Sequence, residues 1–547
     1  MNEPSWDVGA AGQWALDTSH MPAGTTPITQ DLASNSLPPT FRQIFAELGT
    51  PADTLDLRWV NGFMYTRLRP LLAPDKSAGR LPPLPVLKLA IRVHPEMRRR
   101  NKRAIATLAS EPWVKVIHDW HNGQRAGVVA ANLALQDVDV AALDDEALIA
   151  HARERMQHAL TNWRLHFWLH GYDLGPIGRL LYEGADWGIT TADLLALLEG
   201  ASPSTTAPRR AMVAIRSLIE ATGKEPTTLH EAREVSDTAR EAIDEYLRHH
   251  GAHLFSRYDL DGVTLGERPD LVLAAIMNAE PVVHSDVSAL AAVVRMRVPA
   301  EHRARFETLL AQARDAMDLR DDNGPITAEW TLGLVRLVLL EVGRRMRARG
   351  LAHRAEHVFE LNPDEVVPGL LSDGTLDAED LARRAASRQH AKTLDAPKLI
   401  GAPEVAPPLS VLPVGLRSIV GMVQTVMSEM AMDGSSFADG LSGAGVGTRS
   451  VRGRACVAST PEEAFDLLEP GDILVVASTT PAYNLVLSLV AGVVTAAGGP
   501  MSHAAVLARE LGIPAIVGAS AALIDIPHGA EIELDPVAGT VRVLARL

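Results

Sequence analysis

In the segment GGPMSHAAVLARELGIPAIVG, residues 498–518, a histidine stands directly before a run of strong helix formers. Ala504 to Leu511 favour a helix and Gly512 stops it, so His503 falls at a helix N-terminus. Backbone N–H groups at such an end favour a bound anion, and the positive end of the helix disfavours imidazolium. A neutral, nucleophilic ring beside an anion site suits a histidine that accepts and then donates a phosphoryl group. Ser502 is placed to cap the helix or to hydrogen-bond the phosphate, and Gly498 and Gly499 let a nucleotide or substrate approach the ring. The structural alternative is a histidine that only caps its helix.

Other constellations carry weaker signals. His151, His158, His166 and His170 recur on one broad face of a predicted helix, where His166 and His170 are candidates for an acceptor site. Trp163, Phe167 and Trp168 are interleaved with them, which favours packed histidines. Arg320 and Asp321, beside Asp322 in DLRDDNGP, either orient an acceptor hydroxyl or form a structural ion pair. His118 and His121 have a spacing seen in metal sites but no further ligand nearby, and no metal centre is expected. The run RRRNKR, residues 98–103, is either a solvated helix face, a docking surface for an acidic partner or an attraction for a triphosphate. Arg509 is off the direct face of His503 and is expected to brace the fold or meet a partner. Gly223-Lys224 is followed by Glu225, so no phosphate-binding P-loop is visible.

The elements that must position these groups belong to a chain of 547 residues, enough for several domains, with 47% apolar side chains and 4% aromatic. Wholesale disorder is excluded by that content. Against 52 basic residues stand 67 acidic ones, a net charge of −15 that disfavours a non-specific grip on nucleic acid or anionic lipid. Cys456 is the only cysteine, which excludes an internal disulfide and a thiolate cluster and suits a reducing cytoplasm; it reads as a small buried hydrophobe. The N-terminus lacks the pattern of a secretory signal, and the uncharged stretch 473–502 is broken by Pro481 and several glycines, so it reads as strand, helix and strand.

Along the chain, residues 1–40 read as an extended strap and 41–395 as a mainly α-helical acceptor-binding domain, with helices over 144–169, 228–248 and 328–349. Residues 396–415 form a proline-rich linker, followed by one more helix to 432. From 441 to 547 short apolar runs alternate with helical pieces, the pattern of a compact C-terminal α/β domain. The linker and the glycines at 440, 443, 445 and 447 are expected to let that domain rotate as a body.

The stretches GDILVVASTTP, AGVVTAAGG, SHAAVLAREL and GIPAIVG together resemble the phosphohistidine swivelling domain of phosphoenolpyruvate (PEP)-utilising enzymes. The helical region, with WALDTSHMPAGTTPIT, WVNGFMYTRLRP and GRRMRARGLAHRAEHVFELNPDEV, resembles the substrate-binding part of the rifampicin phosphotransferase group. The resemblance implies that His503 carries the phosphoryl group, with Gly498, Gly499, Ser502 and Thr479 supporting the loop and phosphate. It implies ATP and Mg2+ held mainly by a separate ATP-grasp protein, AMP and phosphate as by-products, and a small organic hydroxyl compound as acceptor. Neither an ATP-grasp pattern nor a PEP barrel is visible. The rival expectations are a binding or regulatory relative without turnover, and a dehydratase acting through a phosphorylated hydroxyl.

Overall fold

The computed structural model describes the chain except residues 1–3, 18–20, 22, 77–78, 256, 283–286, 367–369, 371–375, 431–439, 480–482, 488 and 546–547. Two compact units interleave in sequence. The first comprises Met1–Tyr172, Tyr258–Gly262 and Ile326–Gly421, the second Asp173–Arg257, Val263–Pro325 and Met422–Leu547. Among the described residues no helix is long and apolar enough to cross a membrane.

The first unit contains a four-stranded antiparallel sheet in the order β2-β3-β1-β4, with β1 Trp14–Leu16, β2 Ala52–Val60, β3 Phe63–Pro70 and β4 Leu399–Ile400. Its hairpin turns at Asn61 and Gly62, with φ of 51° and 78°. Two consecutive left-handed residues match the twist of the flanking strands, and Asn-Gly supplies them at low cost. This hairpin lies in a region read from the sequence as helical.

The extended strap gives way early. Residues Pro27–Leu48 form a helix with Pro27 in its first turn, where the missing N–H costs nothing. Gly49 ends it at φ 82°, and a Cβ there would lie 2.6 Å from the Arg100 carbonyl oxygen.

The proline-rich segment is also not a free arm. β4 within it pairs with β1, Tyr65 Oη donates to the Pro397 carbonyl at 2.8 Å, and Arg67 holds Glu404 at 2.7 Å. Its prolines exclude a continuous helix, as expected: only a 3-10 turn at Leu409–Val411 precedes the helix Val414–Glu429, and the extended backbone before them is laid against the first unit. Of the three long predicted helices, the first continues past 169 to Asp186, the second splits into Leu229–Glu234 and Asp237–His250, and the third runs Trp330–Ala348.

The second unit holds a seven-stranded sheet in the order β11-β10-β6-β7-β8-β9-β5. The strands are β5 Ala444–Val446, β6 Val451–Val457, β7 Ile473–Val476, β8 Gly492–Thr495, β9 Ala515–Val517, β10 Glu531–Asp535 and β11 Thr540–Ala545. β6 to β9 run parallel and are covered on both faces, which explains their unbroken apolar sequences. Alternate residues serve different layers. Leu474, Val476, Val493, Ala515 and Val517 pack with the His503 helix and with helices Pro203–Glu220 and Pro269–Met277. Ile473, Val475, Val494 and Ile516 face the opposite layer with Ile526 and Ile532.

The two edges of this sheet meet. Gly443 N–H donates to the Gly539 carbonyl and Val541 N–H to the Leu441 carbonyl, each at 2.9 Å. This closure corrects the reading of Gly443 and Gly445 as a pivot. A Cβ at 443 would lie 2.4 Å from the Val517 carbonyl oxygen, and one at 445 would lie 1.8 Å from that of Pro536. These glycines permit close packing of backbones, while Gly440 sits in an open turn at φ 71°.

Candidate active site

His503 is the first residue of helix His503–Leu511, and the cap is built from its neighbours. Ser502 has extended backbone and its Oγ accepts from Ala505 N–H at 3.4 Å. Ser502 N–H in turn donates to the Gly499 carbonyl at 2.9 Å, closing the loop. Gly498 has φ 108°, and a Cβ there would crowd Ser502 Cβ at 2.9 Å. The loop is anchored further by Arg509, which donates to the Pro500 carbonyl, and by Met501 N–H, which donates to the Glu429 carbonyl. At the other end Gly512, at φ 67°, receives the chain in the left-handed region.

Thr479, buried after β7, places Oγ1 2.9 Å from His503 Nδ1. With Nδ1 protonated and donating to this oxygen, Nε2 carries the lone pair. A carrier imidazole needs that arrangement, because only an unprotonated ring nitrogen attacks phosphorus. Thr479→Val should therefore shift the tautomer balance of His503, read from its ring nitrogen resonances, and slow phosphoryl uptake about tenfold, the worth of one hydrogen bond.

The far end of the same helix holds a feature that the sequence did not disclose. Glu510 is almost wholly buried, and its Oε2 accepts from Ser202 N–H at 3.3 Å. Burial, and after it the nearby Asp321 carboxylate, pushes Glu510 up to about 7. Asp321 is itself pushed up to about 6 by burial, and its Oδ2 accepts from Thr205 Oγ1 at 2.9 Å. Both groups hold protons more tightly in the folded chain than in the unfolded one. Their penalty is therefore absent below the ordinary carboxylate range and grows as pH rises through about 6 to 7. Glu510→Gln keeps an acceptor for Ser202 and should flatten the fall in melting temperature between the ordinary carboxylate range and about pH 7, above which the difference stays constant. Its stabilising effect near pH 8 should be on the order of 2 kcal/mol.

The acceptor candidates divide between the two units. Arg320 lies 3.6 Å from the buried Asp173 and Asp321 faces Thr205, both in the second unit. His166 and His170 belong to the first unit, with rings 4.5 Å apart and His166 Nδ1 3.2 Å from Thr327 Oγ1. In the same face His151 accepts from Arg155 at 2.9 Å and His158 meets Asn132 at 2.7 Å, so both have structural partners. Also in the first unit Tyr258 Oη donates to Glu329 at 3.1 Å, and burial raises that carboxyl to about 8. Nothing in the spacing of Tyr258 and Glu329 announces the pair. His118 lines an open cleft of about 410 Å3 with Asn122 and Trp168. No group of three metal-ligating side chains occurs among the described residues. Lys224 lies in an exposed turn and donates to the Val235 carbonyl at 3.2 Å. Cys456 is buried in β6, and burial raises its thiol to about 11, which leaves it unreactive near neutrality.

Residues 468–539, which contain Thr479, the glycine loop and His503, match the family "PEP-utilising enzyme, mobile domain". The chain carries a PEP-utilising mobile domain. The similarity extends beyond that domain. An uncharacterized protein of Mycobacterium tuberculosis is 30% identical over 64% of this chain and 38% of its own length. Rifampicin phosphotransferase of Streptomyces sviceus is 28% identical over 56% of this chain and 35% of its own. Chondramide synthase cmdD of Chondromyces crocatus is 26% identical over 97% of this chain but only 14% of its own. The chain thus spans less than two fifths of each of these relatives. The matched stretch includes the helix-end His503 and its 2.9 Å contact with Thr479.

Proposed function

We propose that the chain is a phosphotransferase component in which His503 carries a phosphoryl group from an ATP-derived donor to the hydroxyl of a small organic acceptor. The observation that supports it is His503 Nδ1 held 2.9 Å from Thr479 Oγ1 at the N-terminus of a capped helix, inside the stretch that matches the mobile domain. A separate ATP-grasp protein binds ATP with Mg2+ and loads the histidine. Nε2 attacks the β-phosphorus, the bond from that phosphorus to the AMP oxygen breaks, and the γ-phosphate leaves as inorganic phosphate after hydrolysis. The acceptor hydroxyl then attacks the phosphohistidine and loses its proton, and the imidazole leaves neutral. Similarity to rifampicin phosphotransferase favours an alcohol or phenol as the acceptor.

The test is to mix the chain with an ATP-grasp protein of this family and ATP labelled in the β-phosphate. Acid-labile, base-stable label on His503 is the expected result, and label on any other residue transfers the role. A chain that takes up no label, yet binds acceptor, is a binding relative. In the absence of the second protein, calorimetry should detect no ATP binding tighter than about millimolar. A micromolar site on the isolated chain would remove the need for a nucleotide-binding partner.

A further inference from the structure

The helix Leu84–Val93 in the first unit is apolar on two sides, but only one is covered. Leu87 and Ile91 face inward, packed with Met97, Leu412 and Leu416. On the opposite side Val86, Leu89 and Val93 are 58%, 62% and 61% exposed. Their spacing of three and then four residues is that of a coiled-coil seam, with β-branched Val at the two ends and Leu between. A soluble helix with a covered inner face ordinarily turns polar side chains outward, so a bare aliphatic seam marks a docking face.

Charge specifies what docks there. Residues 84–110 contain seven basic side chains and one acidic, in a chain whose net charge is −15. Part of that charge is used internally. Arg100 is buried against Glu96 and the Thr50 carbonyl, Arg103 donates to the Glu47 carbonyl, and Arg99 pairs with Glu96. Lys88 and Arg92 remain exposed along one flank of the seam, with Arg98 and Lys102 on the following helix Pro95–Ser110. A second copy of the chain would bring like charges face to face across this seam. The strip has no aromatic anchor of the kind that seats helices in a bilayer interface.

We infer that the seam Val86–Leu89–Val93, flanked by Lys88 and Arg92, docks an acidic amphipathic helix of a partner protein. It rests on exposure and charge alone, so it stands or falls separately from phosphotransfer by His503.

The experiment uses the full chain and a fluorescent synthetic peptide of about twenty residues, with leucines at coiled-coil spacing and glutamates on its flanks. Anisotropy should report binding at about 0.05 M salt that weakens on the order of tenfold at about 0.5 M. Leu89→Asp with Val93→Asp, and separately Lys88→Glu with Arg92→Glu, should each weaken it at least about tenfold, whereas Val537→Asp, at an exposed position elsewhere, leaves it unchanged. The charge-reversed pair removes no packing, so it decides the matter if the aspartate pair fails to fold. Four results overturn the proposal: no binding, equal or tighter binding of the lysine-flanked counterpart, a chain dimer that Leu89→Asp dissociates, or binding through this face to phosphatidylglycerol vesicles or single-stranded DNA.

Discussion

His503→Ala is expected to abolish label uptake from β-labelled ATP in the presence of the ATP-grasp protein while leaving the melting profile nearly unchanged. The imidazole is the proposed site of the covalent bond, and no neighbouring group can substitute for a nucleophile that carries the phosphoryl group between two reactions. The fold does not depend on it. The helix is capped by Ser502 and closed by Gly512, and Ala is favourable at a helix start that is already capped. His503→Gln adds discrimination, because it preserves polarity and approximate size without a ring nitrogen. Residual uptake above about one part in a thousand in either variant would move the carrier to another residue.

The largest loss of stability from a single methyl group is expected at Gly445→Ala. The new Cβ would sit 1.8 Å from the Pro536 carbonyl oxygen, and the obstacle is backbone, so β5 must leave its place or the turn after β10 must open. Overpacking of this severity should cost about 3 kcal/mol or more and lower the melting temperature of the C-terminal domain by roughly 12 to 24 °C. Phosphoryl transfer should fall in parallel with folding. Gly440→Ala is the comparison: with no neighbouring atom within 4 Å, its φ of 71° alone should cost about 1 kcal/mol. Transfer lost by Gly445→Ala in a protein of unchanged stability would restore the pivot that the packed glycines argue against.

The C-terminal domain around His503 was legible because local signals and tertiary structure agree there. Ser before His, alanines after it and Gly512 at the close specify one capped helix, and β7, β8 and β9 fall within a residue or so of their apolar runs. Thr479 stands 24 residues from His503 in sequence, and its 2.9 Å contact depends on β7 and β8 being adjacent in the sheet. The N-terminal reading erred where one signal was weighed without its context. Proline at the first turn of a helix is favourable, so Pro27 was no obstacle to Pro27–Leu48, and Asn61-Gly62 was a hairpin signal inside a region read by its helical periodicity. The glycines near 445 were misread because sequence does not distinguish a glycine needed for motion from one needed for close approach. Glu510 and Asp321 were unreadable as a pair: they lie 189 residues apart, and only burial against Ser202 and Thr205 gives them a common environment.

The closure of the C-terminal sheet fixes the order in which it can be completed during synthesis. β5 pairs with β9, and Leu441 and Gly443 just before it bond to Val541 and Gly539 at the start of β11, so almost the whole domain must be synthesised before this edge can be seated. Until then the parallel core from β6 to β8 carries exposed ladders on both sides, a condition that invites pairing with other nascent chains. Pairing of β10 with β6 and of β9 with β8 covers those ladders, and the bonds that join 441 to 541 and 443 to 539 close the edges that remain, beneath the helix that begins at His503.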